Sequence, residues 1–215
     1  PSRVLGTNIQ YPMSNIQIKK NDPRTIRSWA MYDWANSVYV LVITSAIFPA
    51  YYNQVTRLNG SGIVHIFGYP IENTAIYSIN MGLAFGIIAL LSPLLSSISD
   101  YTGNQKGFMR MFCYIGVAGC LMLFWFDGRD HLYVGLAGAL LSTIGYSGSI
   151  VFYNSYLPAI ATEDQQDKVS ARGFAYGYIG STILLLFNLA LIMNKDRLGV
   201  TDSTFLPRLA FLLTG

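Results

Sequence analysis

A single acidic side chain lies inside the longest hydrophobic run of this sequence. From Trp29 to Tyr52 the run spans 24 residues, and Asp33 is the only charged residue in it. If the run is helical, the spacing of its polar side chains places them on or beside one face: Asp33, Asn36, Ser37 and Thr44. A carboxylate beside amide and hydroxyl groups can bind a small polar solute or exchange a proton.

The environment of that acid is predicted to be a membrane. At about 1.5 Å per residue, a helix of this length crosses the roughly 30 Å hydrocarbon core of a bilayer. The chain is 52% hydrophobic and 12% charged, whereas soluble domains carry about 25% charged residues. An ionisable group inside a membrane helix costs about 2.5–3.5 kcal/mol, so we expect Asp33 to face a partner or a watery cavity.

The other hydrophobic runs predict an all-α, polytopic bundle. The spans fall at about residues 28–52, 74–98, 108–126, 132–160 and 172–193, and a sixth begins near residue 208 and is cut short at residue 215. Asp22 is the expected N-cap of the first helix and Pro23 its first residue. Residues 1–22 are predicted to be a polar N-terminal arm without a secretory signal peptide, and residues 53–73 a polar loop.

Small residues at helical spacing predict the faces on which helices approach one another. The fourth span carries Gly138, Ser142, Gly145 and Ser149, and the fifth carries Gly173, Gly177 and Ser181. Faces of this kind let two backbones come close together. We expect packing, and not chemistry, from both faces.

The basic residues predict the orientation of the chain. The N-terminal arm with the second and fourth loops holds nine Lys and Arg residues, whereas the first, third and fifth loops hold five. Because cytoplasmic segments carry the excess of positive charge, we expect a cytoplasmic N-terminus. The net charge of +3 is too small and too scattered to indicate a nucleic-acid partner.

The turn between the second and third spans also points to a function. Asp100 lies at a helix end, Gly103 permits a tight reversal and Lys106 follows as a basic residue. This turn resembles the loop signature of the major facilitator superfamily, which implies a conformational role for these three residues. The departures from that signature are Ser96, Asn104 and Gln105. A generic turn between two helices is the alternative interpretation.

Two further stretches resemble one branch of that superfamily, the fungal vacuolar effluxers linked to autophagy and their bacterial relatives. They are residues 32–37 (YDWANS), and residues 152–158 (FYNSYLP) followed by 169–178 (VSARGFAYGY). The resemblance implies a transporter of about twelve helices in two halves. This chain would be the first six-helix half, and the C-terminal half of the same transporter would be its partner in the lipid bilayer. Characterised members export amino acids from the vacuole, whereas the substrate of bacterial relatives is largely open. We expect a bacterial cytoplasmic membrane, with a vacuolar membrane as the alternative.

Polar residues on other spans could share the space beside Asp33. The candidate lining for a small solute near mid-membrane is Asp33, Asn36, Ser37, Asn154, Tyr176 and Tyr178. The alternative role for the last three is helix-to-helix packing. For Asp33, the alternative is a salt bridge with Arg172. This salt bridge would hold the first span against the fifth and close the cytoplasmic opening of the bundle. Loss of either charge would then impair transport.

The sequence predicts a secondary transporter and not an enzyme. No Ser/His/Asp set, phosphate-binding glycine loop or paired catalytic acid lies within the spans, and no cofactor is expected. His65 and His131 fall in separate loops, so no metal site is expected. Without an ATP-binding signature, an ion or solute gradient would drive transport. The rival hypothesis is a membrane scaffold or receptor that keeps the fold without transport, and a cavity beside the candidate lining would favour the transporter.

Overall fold

A computed structural model describes residues 19–57 and 61–215, except for the side chain of Asp100. Most of the predicted N-terminal arm, residues 1–18, lies outside the described residues. Five helical units in the described part are long and apolar enough to cross a membrane: Pro23–Thr56, Asn73–Ser99, Gln105–Leu123, Arg129–Ile160 and Glu163–Met193. The prediction of a polytopic helical bundle is confirmed at this level.

The first unit begins where the sequence predicts it. The Asp22 carboxylate accepts hydrogen bonds from the backbone N–H and the hydroxyl of Thr25, both at 2.9 Å, and so caps the helix. Helix α1 covers Pro23–Tyr39, a π-helical segment covers Val40–Ala46, and α2 covers Ile47–Thr56. The three segments follow one another without a break, so the unit is one long helix with an irregular middle.

A proline follows the π-helical segment at position 49. Pro49 has no N–H to donate to the carbonyl of Ser45, and its ring would clash with that carbonyl in a regular helix. Ile47 donates its N–H to the Val42 carbonyl, five residues back, which widens the turn. Wide turns of this kind are frequent near functional sites. This one begins three residues after Ser37.

The polar segment after α2 contains strands that the sequence did not predict. Helix α2 continues to Thr56, and two short antiparallel strands follow, β1 (Ile63–Ile66) and β2 (Tyr69–Glu72). The prediction of a loop over residues 53–73 was therefore wrong at these positions. Val64 is only 2% exposed and holds the hairpin against the helical core. Because this contact is with residues distant in sequence, it could not be predicted from two stretches of four residues.

The remaining helices alternate in direction. They are α3 (Asn73–Thr102), α4 (Gln105–Leu123), α5 (Leu132–Ser155), the short α6 (Leu157–Ile160), α7 (Glu163–Met193) and α8 (Phe205–Thr214), with a 3-10 turn at Arg129–His131. Helices α1, α4 and α7 begin at one end of the bundle, where α3 and α5 finish. We call this the Pro23 end, and we call the opposite end, which carries β1 and β2, the hairpin end.

The small-residue face of α5 packs on α4, as the sequence predicts. The backbones approach so closely that a methyl group added at Gly145 would overlap the backbone of Gly116, and one added at Gly119 would overlap that of Ser142. The corresponding face of α7 packs on α1, where Gly173 lies against the ring of Trp29. These two seams hold the long helices together.

The hairpin end is closed by aromatic packing and hydrogen bonds. Phe48 is 1% exposed and lies among four rings, those of Tyr52, Tyr77, Phe126 and Phe211. The Tyr51 hydroxyl donates to the Phe126 carbonyl, and the Arg129 guanidinium donates to the Thr56 carbonyl at 2.8 Å. By contrast, α3 exposes large apolar side chains along its length, including Ile79, Leu83, Leu90 and Leu94. A surface of that kind suits lipid or another apolar helix.

Candidate functional site

Asp33 lies at the seam between α1 and α7. Its side chain is buried, with 5% of the residue exposed. The Ser37 hydroxyl, one turn further along α1, donates to Asp33 Oδ1 at 3.2 Å. Gly177 of α7 lies directly opposite, and a methyl group there would come within 3.0 Å of Asp33 Oδ2. Glycine at position 177 therefore lets the backbone of α7 approach the carboxylate.

The predicted salt bridge between Asp33 and Arg172 is absent from this structure. The ion pairs among the described residues are His131–Asp127 and Arg208–Asp202, both away from the seam. Arg172 lies more than one turn of α7 before Gly177, at the Pro23 end, where it is exposed beside Lys168 and Asp164. The register of the two helices therefore separates the charges, and Asp33 has no cationic partner in the described part of the chain.

Asn36 lies on a different side of α1, facing α5. Its Oδ1 atom accepts a hydrogen bond from the Ser149 hydroxyl at 3.3 Å. Its Nδ2 atom and the hydroxyl of Tyr32, one turn earlier, are buried without a hydrogen-bond partner among the described residues. Buried donors without a partner are rare and expensive, so they mark a place where a water molecule or a ligand can bind.

A cavity of about 570 Å³ lies beside Asn36, between α1, α4, α5 and α7. We call it the mid-bundle cavity. Its polar lining consists of Tyr32, Trp34, Asn36, Tyr39, Ser142, Tyr146 and Ser149, and the end of α8 at Leu213–Gly215 forms another part of the wall. The hydroxyl of Tyr39 is bonded to those of Ser142 and Thr143 at 3.0 and 2.9 Å, so this part of the lining is satisfied.

The structure brings together only part of the predicted lining. Asn36 faces the mid-bundle cavity, while Asp33 and Ser37 lie in the α1–α7 seam. Tyr176 packs edge-on against Trp34, with 6.5 Å between ring centroids. Asn154 and Tyr178 are exposed on the outside of the described bundle, and 74% of Tyr178 is exposed. These two residues do not line the cavity with Asn36.

Two of the cavity residues could have been found in the sequence. Tyr32 stands four residues before Asn36, and Ser149 continues the small face of α5, so each follows from helical spacing. Tyr146 could not have been found in this way, because it stacks on Tyr39 across two helices at 4.9 Å between ring centroids. Contacts between helices depend on register, which a single sequence does not fix.

The predicted signature turn has the expected backbone. Helix α3 ends at Gly103, which has a left-handed φ of 64° that glycine adopts without strain. Lys106, in the first turn of α4, lies over the ring of Tyr156 at 6.0 Å from its centroid. The side chain of Asp100 lies outside the described residues. No group of three or more His, Cys, Asp or Glu side chains that could hold a metal ion occurs in the part of the chain described.

Comparison with known proteins places the chain in a family. A model of the family described as vacuole effluxer Atg22 like matches residues 21–215. The chain belongs to this family. The resemblance inferred from the YDWANS stretch and from residues 152–178 is thereby confirmed. Together with the five helices of membrane length, family membership identifies an integral, multi-pass membrane protein.

Several relatives of the Atg22-like chain are much longer than it is. The uncharacterized MFS-type transporter YxiO of Bacillus subtilis is 38% identical over 166 residues, which are 77% of this chain and 37% of YxiO. Autophagy-related protein 22 of Neurospora crassa is 22% identical over 71% of this chain and 24% of its own length. Autophagy-related protein 22-2 of Penicillium rubens is 31% identical over 66% of this chain and 27% of its own length. None of the three is named as an enzyme, and no solved structure matches the chain.

Proposed function

We propose that this Atg22-like chain forms part of a secondary transporter that moves a small solute across a membrane by alternating access. The observation that carries the proposal is the carboxylate of Asp33, which is buried in a membrane-length helix. Ser37 is its hydrogen-bond donor, and it has no cationic partner among the described residues. An ionisable group in such a place is expensive and marks a functional position. Its missing partner would be a proton or the cationic end of the solute.

Amino acids are the first candidates for the solute. The name of the matched family, vacuole effluxer, supports export of a metabolite, and an α-amino acid carries an ammonium group that can pair with a carboxylate. The Nδ2 atom of Asn36, which has no hydrogen-bond partner among the described residues, offers a second polar group on α1. An ion gradient or the gradient of the solute itself would supply the driving force.

The proposed transporter has two halves, of which this chain supplies the first. In that architecture the chain would be a six-helix half, and α8 would be the start of the sixth span. The end of α8 at Gly215 lies against Cys120 in the wall of the mid-bundle cavity. The apolar outer faces of α3 and α7, with Asn154 and Tyr178, would then be available to the second half.

Movement at the seam between α1 and α7 is the conformational change that we propose. Gly177 packs directly on Asp33 and Ser37, so a shift of α7 would uncover the carboxylate. The π-helical segment that follows Ser37 gives α1 an irregular turn next to this seam. The Gly103 turn and Lys106 at the Pro23 end, which we propose faces the cytoplasm, would move with α3 and α4.

Transport by the purified, reconstituted protein tests this proposal. Liposomes containing the protein that carries this chain would be loaded with a panel of labelled amino acids, and efflux would be compared between wild type and Asp33→Asn. Asp167→Asn is the matched control, because Asp167 is an exposed acid on the first turns of α7. We expect Asp33→Asn to lower the rate roughly tenfold or more and Asp167→Asn to leave it unchanged.

The rival hypothesis is a membrane scaffold or receptor without transport. Its support is the tight packing of Gly177 on Asp33, which leaves the carboxylate outside the mid-bundle cavity. If no amino acid, and no other small solute tested, moves faster than in protein-free liposomes, the scaffold is favoured. Equal transport by wild type and Asp33→Asn would retain a transporter but remove Asp33 from its mechanism.

A further inference from the structure

A second cavity lies at the Pro23 end of the bundle, between the start of α1, the start of α4 and the end of α5. Its volume is about 480 Å³. We call it the Pro23-end cavity. Its lining includes Lys19, Asp22, Lys106, Trp29, Tyr32 and Tyr153. The cavity therefore combines charged groups with four aromatic rings.

The charges in this cavity are of both signs. Lys19 and Lys106 supply two ammonium groups, and Asp22 supplies one carboxylate. Thr25 uses only one oxygen of that carboxylate, since its N–H and its hydroxyl both donate to Oδ2. These hydrogen bonds hold the pKa of Asp22 below its ordinary value, so the group is ionised at neutral pH. Its Oδ1 atom remains able to accept a hydrogen bond.

The aromatic wall is built from stacked rings. Trp29 stacks on Tyr153 with 4.2 Å between ring centroids, and its indole N–H donates to the Tyr153 carbonyl at 3.1 Å. Tyr32 stacks on the same ring at 5.3 Å. The hydroxyls of Tyr32 and Tyr153 do not point into this cavity, because that of Tyr153 lies against Gly173 of α7 and that of Tyr32 lies near Ser149 of the mid-bundle cavity. These rings therefore contribute apolar surface to the Pro23-end cavity.

We propose that the Pro23-end cavity binds a small zwitterion. Lys19 and Lys106 would hold its anionic end through charge-assisted hydrogen bonds, and Asp22 Oδ1 would accept from its ammonium end. The aromatic faces suit either a cation or an apolar side chain. Two sources carry this chemistry: a free α-amino acid, and the phosphate and ammonium of an ethanolamine phospholipid. The proposal concerns binding alone and holds whether or not the protein transports a solute.

Binding measurements on the purified protein test the proposal without any gradient. Labelled glycine, leucine and tyrosine would be titrated onto the protein in detergent. In parallel, lipid retention would be measured by native mass spectrometry after exchange into bilayer discs of phosphatidylethanolamine, phosphatidylcholine or phosphatidylglycerol. Saturable binding of an amino acid identifies the free solute as the source. Retention of the ethanolamine lipid over both others, without amino-acid binding, identifies the headgroup as the source.

Three variants test the recognition of each charge. Lys106→Gln removes a cation from the cavity, and Lys168→Gln is its control because Lys168 is an exposed lysine beside a different cavity. Asp22→Asn removes the carboxylate but keeps a good N-cap, so the helix start should survive. We expect Lys106→Gln and Asp22→Asn each to weaken binding roughly tenfold or more, and Lys168→Gln to leave it unchanged.

Three results would overturn the proposal. If Asp22→Asn binds as wild type does while Lys106→Gln does not, the ligand is an anion and not a zwitterion. Equal retention of phosphatidylglycerol and phosphatidylethanolamine leads to the same conclusion. If no amino acid binds and no lipid is preferred, the cavity has no ligand of this class.

Discussion

The two ends of this bundle are built in opposite ways. At the hairpin end, Phe48 is surrounded by rings, and the hydroxyls of Tyr51 and Tyr52 each donate to a backbone carbonyl. Towards the Pro23 end, the hydroxyls of Tyr32 and Tyr153 are buried without hydrogen-bond partners among the described residues, and their rings line a cavity. The difference indicates that the hairpin end stabilises the fold. The Pro23 end instead leaves polar groups that can bind a ligand or change partners when helices move.

The largest effect is expected from opening the aromatic core at the hairpin end. Phe48→Ala should lower the free energy of unfolding by about 3–5 kcal/mol, because it leaves a void among four rings. Phe174→Ala is the matched control, since Phe174 is 63% exposed on α7, and it should cost less than about 0.5 kcal/mol. Denaturation in detergent, followed by circular dichroism, measures both. Similar losses would mean that the hairpin end is not the stable half.

A smaller effect is expected at the seam between α1 and α7. The added methyl group of Gly177→Ala would overlap the hydroxyl of Ser37, which should cost about 1–3 kcal/mol. The control is Gly82→Ala on α3, where an added methyl group meets nothing within 4 Å. The same denaturation assay should find no loss for the control. A neutral Gly177→Ala would mean that the seam is looser than the described contacts indicate.

The smallest effect compares the same change at the two ends. Tyr51→Phe removes a buried hydrogen bond to the Phe126 carbonyl and should cost about 0.5–1.5 kcal/mol. Tyr32→Phe removes a hydroxyl that has no hydrogen-bond partner among the described residues, so it should leave the free energy of unfolding unchanged or raise it. Unfolding midpoints of the two variants in one detergent measure the difference. If Tyr32→Phe lowers stability more than Tyr51→Phe does, the Tyr32 hydroxyl has a hydrogen-bond partner outside the described residues. The proposed difference between the two ends would then be wrong.

Local features of this fold could be predicted from the sequence. The cap at Asp22, the reversal at Gly103 and the small-residue face of α5 each depend on residues within a few turns. The β-hairpin could not be predicted from the sequence. Its two strands have only four residues each, and burial of Val64 against distant helices stabilises them.

The site was harder to predict because it depends on register and rotation. Asn154 follows the buried Tyr153, and one residue turns a helix by about 100°, which carries its side chain to the surface. Tyr178 follows Gly177 and is exposed for the same reason. The predicted ion pair fails through register, since α7 brings Gly177, and not Arg172, opposite Asp33.

The central claim is that Asp33 acts at the α1–α7 seam without Arg172. Its most direct test is amino-acid efflux from liposomes by Asp33→Asn and Arg172→Gln, reconstituted in parallel at equal protein amounts. The account predicts that Asp33→Asn loses roughly tenfold or more of the wild-type rate, while Arg172→Gln stays within about twofold of it. Equal loss in both variants would instead indicate that the two charges work as a pair, and full activity of Asp33→Asn would contradict the account.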